Sequence, residues 1–406
     1  MNVVFVAPYL GAHMVHCLDI LTQMNVRVGV ISHQASDAFP PALKKRLDGH
    51  FRIDNSMDSA QLALAVRAFK AQWGSVDRLI GYLEQLQIPL ADARDSEDIP
   101  GMRGEVARNF RNKNRMKEVL RRAGVPVARQ KLVKSPSDAL AFVEEVGFPV
   151  VIKPVDGMGS KATARANDHD ELYQILNQMM PRPDAPVQCE EFVTGEEHTC
   201  ETAFIDGKPV WRTSTYYLPG PLKVLENPWM QYCVLLPKET QPHLERFAPI
   251  NTAALQALGM QTGLSHMEWF LRADGTPVVN EVGARPPGVN IMRLNSITAG
   301  YDTWKAWLEI QCFGTWNMPQ ERTCAAGCAF LRGQGRGRRV ARVEGVDALV
   351  RSLGASFVDA KWPVPGQPRS SGYEGEGWVI VRADTTDAAV QALRAVVTQV
   401  HVVLGP

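Results

Sequence analysis

Along the first hundred residues the apolar positions switch between two periods. Short apolar runs at residues 3–7, 26–31 and near 79–81 read as strands, while the segment from about His13 carries apolar residues at helical spacing. Strands alternating with helices predict a small α/β lobe built on a parallel sheet. The loop after the first run, Pro8-Tyr9-Leu10-Gly11, lacks the spaced glycines of a dinucleotide site. A polar stretch over residues 92–104 reads as a linker. The helix after it ends at Gly124, whose permissive backbone suits a cap before Val125-Pro126.

Ser135-Pro136-Ser137-Asp138 opens the next helix, with serine as cap and proline in the first turn, and Gly147 closes it. An apolar strand at 149–153 leads into a glycine-rich turn, a helix follows Asp168, and the proline-rich residues 181–186 stop it. Residues 187–193 form a strand. Asp206-Gly207 and Asp274-Gly275 lie between strand-like runs as hairpin turns. Strands near 324–331 and 378–381 and a helix from Asp384 predict a separate small α+β cap at the end of the chain. No internal repeat or low-complexity tract breaks this order.

Composition narrows the chemistry. A chain of 406 residues is too long for one core and suits three or four lobes. With 45% hydrophobic and 21% charged residues it is an ordinary globular sequence. A net charge of +1 argues against a broad nucleic-acid or anionic-membrane surface. Seven scattered cysteines form no disulfide framework, and Cys324 and Cys328 lack the companions of a zinc site. The N-terminus has no basic region before its short apolar run, and no apolar stretch approaches the roughly 20 residues that span a bilayer. A cytoplasmic protein acting on small molecules, with no nucleic-acid or membrane partner, is expected.

Two glutamates flank the second hairpin. If Asp274-Gly275 is a two-residue turn, Glu268 lies directly opposite Glu281 on one face of the ladder. Like charges opposed across strands repel, so a folded chain that keeps them screens them with a cation or a shared proton. Magnesium fits, because it takes one or two carboxylates and fills its remaining positions with phosphate oxygens. Taken alone, the pair is equally consistent with two surface glutamates on an exposed hairpin.

The segment Val151-Ile152-Lys153-Pro154-Val155-Asp156-Gly157-Met158-Gly159-Ser160 sets a lysine at a strand end before a glycine-rich loop whose backbone N–H groups could close over phosphates. Lys113 precedes Lys153 by 40 residues, and Glu268 follows it by 115. On these motifs, over about residues 112–300, the chain resembles the ATP-grasp superfamily, in its biotin-carboxylase-like and L-amino-acid-ligase branch. The resemblance implies an ATP-grasp fold of mixed α/β and α+β class. Its expected parts are an N-terminal α/β lobe at 1–105, a lid at 106–187, a catalytic subdomain at 188–320 and a C-terminal α+β cap at 321–406.

Residue by residue, the resemblance assigns Lys113 and Lys153 to the phosphates of ATP, and the loop with Gly157, Gly159 and Ser160 to the flap that covers them. In Cys189-Glu190-Glu191-Phe192-Val193 the backbone at Glu191 and Val193 would read adenine, with Glu190 near its amino group, and Glu197 would hold the ribose. Glu268 and Glu281 match the magnesium ligands, with manganese able to replace that ion. Arg285 matches an arginine that contacts the transferred phosphoryl group or the acyl-phosphate. Gly283 stands where many members have asparagine, which puts the third protein ligand to metal in doubt.

The implied reaction is ADP-forming ligation. A substrate carboxylate takes the phosphoryl group, and an amine, most simply an amino acid, displaces phosphate. Lys113, Lys153 and Arg285 would neutralise charge on the non-bridging oxygens. The alternatives are a bicarbonate-activating carboxylase of biotin-carboxylase type, although no Met-Lys-Met biotin acceptor occurs here, and a regulatory protein that binds ATP without turnover. His266 shares the face of Glu268, as a structural histidine or a substrate contact. Trp229 and Tyr232 are candidates for a substrate pocket or for the core. The basic run at 332–339 reads as a solvated loop. A homodimer is an expectation of the resemblance alone.

Overall fold

The computed structural model describes residues 1–155, 163–227 and 230–406. Four parallel strands open the chain, in the order Gly49–Arg52, Arg27–Ser32, Asn2–Val6, Arg78–Ile80. Val3, Val4, Phe5 and Val6 are all buried, so both faces of the sheet are covered, as parallel sheets require. The polar stretch expected as a linker is instead the end of the helix Gln87–Ser96, a seven-residue connection and the start of the helix Gly104–Arg111, built into this lobe. Its polar groups are satisfied internally. The guanidinium of buried Arg94 donates twice to the Leu79 carbonyl, Asp95 accepts from the Gly104 N–H, and Asp92 pairs with Arg108.

A second, antiparallel sheet runs Gln130–Val133, Val187–Glu191, Val150–Pro154, Ala164–Ala166. Helices Pro136–Val146 and His169–Met179 bury Phe142, Leu172 and Leu176 against Val150, Ile152 and Cys189. Ser135 and Asp168 cap these helices as their sequences indicate. The boundary expected at residue 188 falls within the strand Val187–Glu191, which is hydrogen-bonded on both sides into this sheet.

The third sheet has nine strands. Its path begins Pro277–Gly283, Gly263–Leu271, Glu196–Ile205, Tyr216–Leu218, Tyr232–Leu236, and continues through Ala325–Leu331, Gly377–Ala383 and Phe357–Lys361. The C-terminal segment is therefore no separate cap. Its strands extend the central sheet, because Tyr232–Leu236 pairs along its length with Ala325–Leu331. That last strand is buried on both faces: Ala325, Ala329 and Leu331 pack with the helix Thr386–Gln399, and Ala326, Cys328 and Phe330 with the helix Ile291–Ala299.

The basic run is only partly the solvated loop expected of it. Arg332 is buried, and its guanidinium donates to the carbonyls of Val224, Asn227 and Met230. Arg339 begins the strand Arg339–Glu344, which pairs with His401–Gly405. Tyr232, a pocket candidate from sequence, is core: its ring is fully buried and stacked on Phe330 at 5.3 Å. Among the described residues no helix is long and apolar enough to cross a membrane.

Candidate active site

The hairpin pairs Glu268 with Glu281, but by a different route from the one its turn suggests. The turn holds three residues, Ala273-Asp274-Gly275, closed by Arg272 N–H donating to the Thr276 carbonyl at 3.0 Å. Gly275 takes φ +81°, the left-handed position such a loop reserves for glycine. Nearest the turn Trp269 faces Val279, a register that would oppose Glu268 to Asn280. A bulge at Asn280 absorbs one residue and brings Glu281 opposite Glu268.

Each carboxylate has its own company. Glu268 Oε1 accepts from the Tyr217 hydroxyl at 3.2 Å and lies 3.7 Å from His266 Nε2. The other ring nitrogen of His266 is 2.8 Å from Glu201 Oε1. Burial would lower the His266 pKa, but the hydrogen bonds and charges of Glu201 and Glu268 outweigh it and push it up to about 9. Glu281 Oε1 lies 2.9 Å from Lys113 Nζ.

Lys113 is the first residue of the helix Lys113–Arg122, which starts there because Asn112 caps it, its side chain accepting from the Arg115 N–H at 2.9 Å. The Lys113 N–H donates to the Val155 carbonyl, just beyond the strand that ends with Lys153 and Pro154. Both lysines therefore arrive at one place from two elements. Lys153 Nζ is 3.0 Å from Glu190 Oε2, and Lys117 Nζ, one helical turn after Lys113, is 2.6 Å from the same oxygen. Burial alone would raise the Glu190 carboxyl; the two ammoniums reverse this and hold it at about 2. The Glu190 side chain thus sits in a buried ion cluster at the wall of the cleft.

Glu191 lines the cleft as well. Its backbone N–H donates to the Arg129 carbonyl, and its carboxylate pairs with Arg129 at 2.8 Å. Val193 and Glu197 line the cleft. Glu197 is raised well above the usual carboxylate range, first by burial and then by the charge of Glu268. Gly220 makes room for it, since a Cβ there would come within 2.3 Å of Glu197 Oε2. Gly157, Gly159, Ser160 and Trp229 lie outside the described residues.

Arg285 reaches the same cleft from just beyond the hairpin and meets the N-terminal lobe. Its Nε donates to Glu84 Oε2 at 2.8 Å and its Nη2 at 2.5 Å, while Nη1 donates to the Pro286 carbonyl. Arg111 pairs with the other Glu84 oxygen. The cleft is lined by Glu84, Lys113, Lys153, Glu268, Glu281 and Arg285 together, and encloses about 1330 Å³ of space continuous with solvent. Sequence reasoning missed Glu84, Lys117, Glu201, Tyr217 and Tyr373, of which Glu84, Tyr217 and Tyr373 line the cleft. Lys117 carried a signal, its spacing of four from Lys113 on one helix face. The others come from loops or neighbouring strands with no distinguishing pattern.

Residues 111–216 match the family model of the phosphoribosylglycinamide synthetase ATP-grasp (A) domain. An L-arginine-specific L-amino acid ligase of Bacillus subtilis is 23% identical over 306 residues, 74% of this chain and 72% of that protein. Among solved structures, an L-amino acid ligase from Bacillus licheniformis superposes with a TM-score of 0.78 at 19% identity, covering 100% of this chain and 99% of that one. An N5-carboxyaminoimidazole ribonucleotide synthetase from Thermotoga maritima does so at 0.69 and 17% identity, with 100% and 99% covered. At these identities the superpositions establish the fold. The domain match covers the segment that carries both cleft lysines, and the fold of these solved structures is shared from end to end of the chain.

Proposed function

We propose that this protein is an ADP-forming carboxylate–amine ligase that activates a carboxylate as its acyl-phosphate and couples it to an amine, most simply the amino group of an amino acid. The observation that carries this reading is Glu268 facing Glu281 in a cleft that Lys113, Lys153 and Arg285 also line. Among the described residues no three His, Cys, Asp or Glu side chains gather into a ready-made metal cage. Two opposed carboxylates with lysines beside them fit magnesium or manganese carried in with nucleotide phosphates, where the phosphates supply the other oxygens. In this reading Glu268 and Glu281 hold the ion, which would supply positive charge at the phosphate oxygens when bound.

The chain's own residues would do the rest. Lys113 and Lys153 hold the phosphates, Val193 and Glu197 the nucleoside end, and the loop with Gly157, Gly159 and Ser160 covers the triphosphate. Arg285 has five N–H donors, and three are engaged by Glu84 and Pro286. Among the described residues the remaining two have no partner, so they can receive a carboxylate or phosphoryl oxygen from a fixed direction. His266 stays beside Glu268 as a substrate contact, and Trp229 is a further candidate. A cytoplasmic setting, which seven unpaired cysteines suit, and a homodimer belong to the same proposal.

The test is phosphate and ADP release with mixed amino acids, compared with bicarbonate, and mass spectrometry of the products. Release that needs amino acids, with a condensed product of the expected mass, supports the ligase. Release with bicarbonate alone would replace it by the carboxylase reading, and tight ATP binding with no release by the regulatory one.

A further inference from the structure

We propose that Lys117 sets the affinity of the cleft for nucleotide phosphates without touching them, by neutralising Glu190 so that the charge of Lys153 is left to the ligand. This rests on the reading that the cleft holds ATP with its phosphates at Lys153. Glu190 Oε2 lies 2.6 Å from Lys117 Nζ and 3.0 Å from Lys153 Nζ, and all three residues are buried. Glu190 Oε1 accepts from Gln188 Nε2 at 2.5 Å. Lys153 lines the cleft; Lys117 does not.

The charge count decides the role. One carboxylate between two ammoniums leaves the cluster with one positive charge, and Lys153 is the member that faces the ligand. Without Lys117, Glu190 and Lys153 would close into a neutral pair, and an incoming phosphate would compete with Glu190 for the same ammonium. A buried lysine is expensive to desolvate, and an ion pair away from solvent gains little stability over apolar packing. Phosphate binding gives such a residue a use that stability does not. The helix supplies both charges from one face, Lys113 to Glu281 and Lys117 to Glu190, one turn apart. Lys117 is in this sense a positioning residue.

Calorimetric titration of the full chain with ATP, ADP and adenosine tests it. Lys117→Met should weaken ATP and ADP binding by about tenfold or more, the scale of one charged hydrogen bond, and leave adenosine unchanged. Lys117→Arg should restore most of the loss. The double variant Lys117→Met with Glu190→Gln keeps the wild-type net charge, so it should bind ATP close to wild type, and it reads the proposal even if the single Lys117→Met variant does not fold. The inference is overturned if Lys117→Met binds ATP as wild type does, if adenosine and ATP weaken equally, or if the double variant is as weak as a folded single variant or falls well below wild type. Failure of the wild type to bind ATP would instead remove the nucleotide reading itself.

Discussion

Glu84 and Arg285 are 201 residues apart and meet in the cleft, where two guanidinium N–H groups of the arginine reach one oxygen of the carboxylate. Burial would raise the Glu84 carboxyl, but Arg285 and Arg111 outweigh it and hold it below the usual range. Glu84 belongs to the turn after the last strand of the N-terminal sheet, so that lobe reaches the hairpin arginine through one side chain.

Removing that side chain takes from Arg285 the acid that two of its N–H groups hold, and from Arg111 one of its contacts. Glu84→Ala should cost roughly 3–5 kcal/mol, the usual penalty for orphaning a buried charge, and Glu84→Gln less, because the amide oxygen still accepts. Turnover should fall in both, since Arg285 loses its fixed orientation. Urea unfolding and steady-state rates check this. A Glu84→Ala variant within about 1 kcal/mol of wild type, against the range given, would mean that the contact contributes little.

Glu268→Gln and Glu281→Gln each remove one charge from the opposed pair while keeping its shape. Each should lower ligation about a hundredfold or more, the scale of losing electrostatic stabilisation of a transferring group. ADP binding in the presence of a chelator should change only a few fold, with most of the loss recovered nowhere in a magnesium titration. Full activity in either variant at ordinary magnesium would exclude that carboxylate as a ligand.

The helices and strands that obey local rules were readable in the chain. Ser135, Asp168 and Gly147 mark helix ends by chemistry contained in a few residues, and Asp206-Gly207 makes the tight turn its sequence states, both residues at positive φ. What failed was non-local. Nothing within residues 92–104 tells that Arg94 will find the Leu79 carbonyl, and nothing near Tyr232 tells that a strand ninety residues later will cover it. A two-residue turn predicts the pairing of Glu268 with Glu281 only because two departures cancel, a turn one residue longer and a bulge that restores the register. Glu190 was placed by its motif, but only the fold shows Lys117 behind it.

By the resemblance, Gly283 would stand where many ATP-grasp chains carry asparagine, so an asparagine there would offer the proposed metal a further ligand. A Cβ there would meet nothing closer than 3.5 Å, the Arg285 Cγ, and its backbone is not left-handed. Gly283→Asn should therefore fold with a melting temperature near wild type and reach half-maximal activity at lower magnesium. An unchanged magnesium dependence would show that the third position is already filled, by water or by a group elsewhere.

His198 gives the protein a defined weakness in acid. Its ring is fully buried, stacked on Trp269 at 4.9 Å and close to His243 and Tyr216; among the described residues neither nitrogen has a hydrogen-bond partner, and the nearest carboxylate, Glu196, lies 3.7 Å from Nε2. Burial, and then the charge of His243, lower its pKa to about 4. A histidine that takes its proton near 6.5 when unfolded and near 4 when folded leaves the unfolded chain binding more protons between those values. Stability should therefore fall as pH drops from about 6.5 towards 4, by up to about 3 kcal/mol from this residue at 1.36 kcal/mol per pH unit. His198→Phe keeps a ring in the stack and removes the titration. The stability difference between wild type and this variant, measured by denaturant unfolding at several pH values, should widen by that amount across the window and level off below it. A constant difference from pH 7 to pH 4 would mean that the His198 ring accepts its proton in the folded protein.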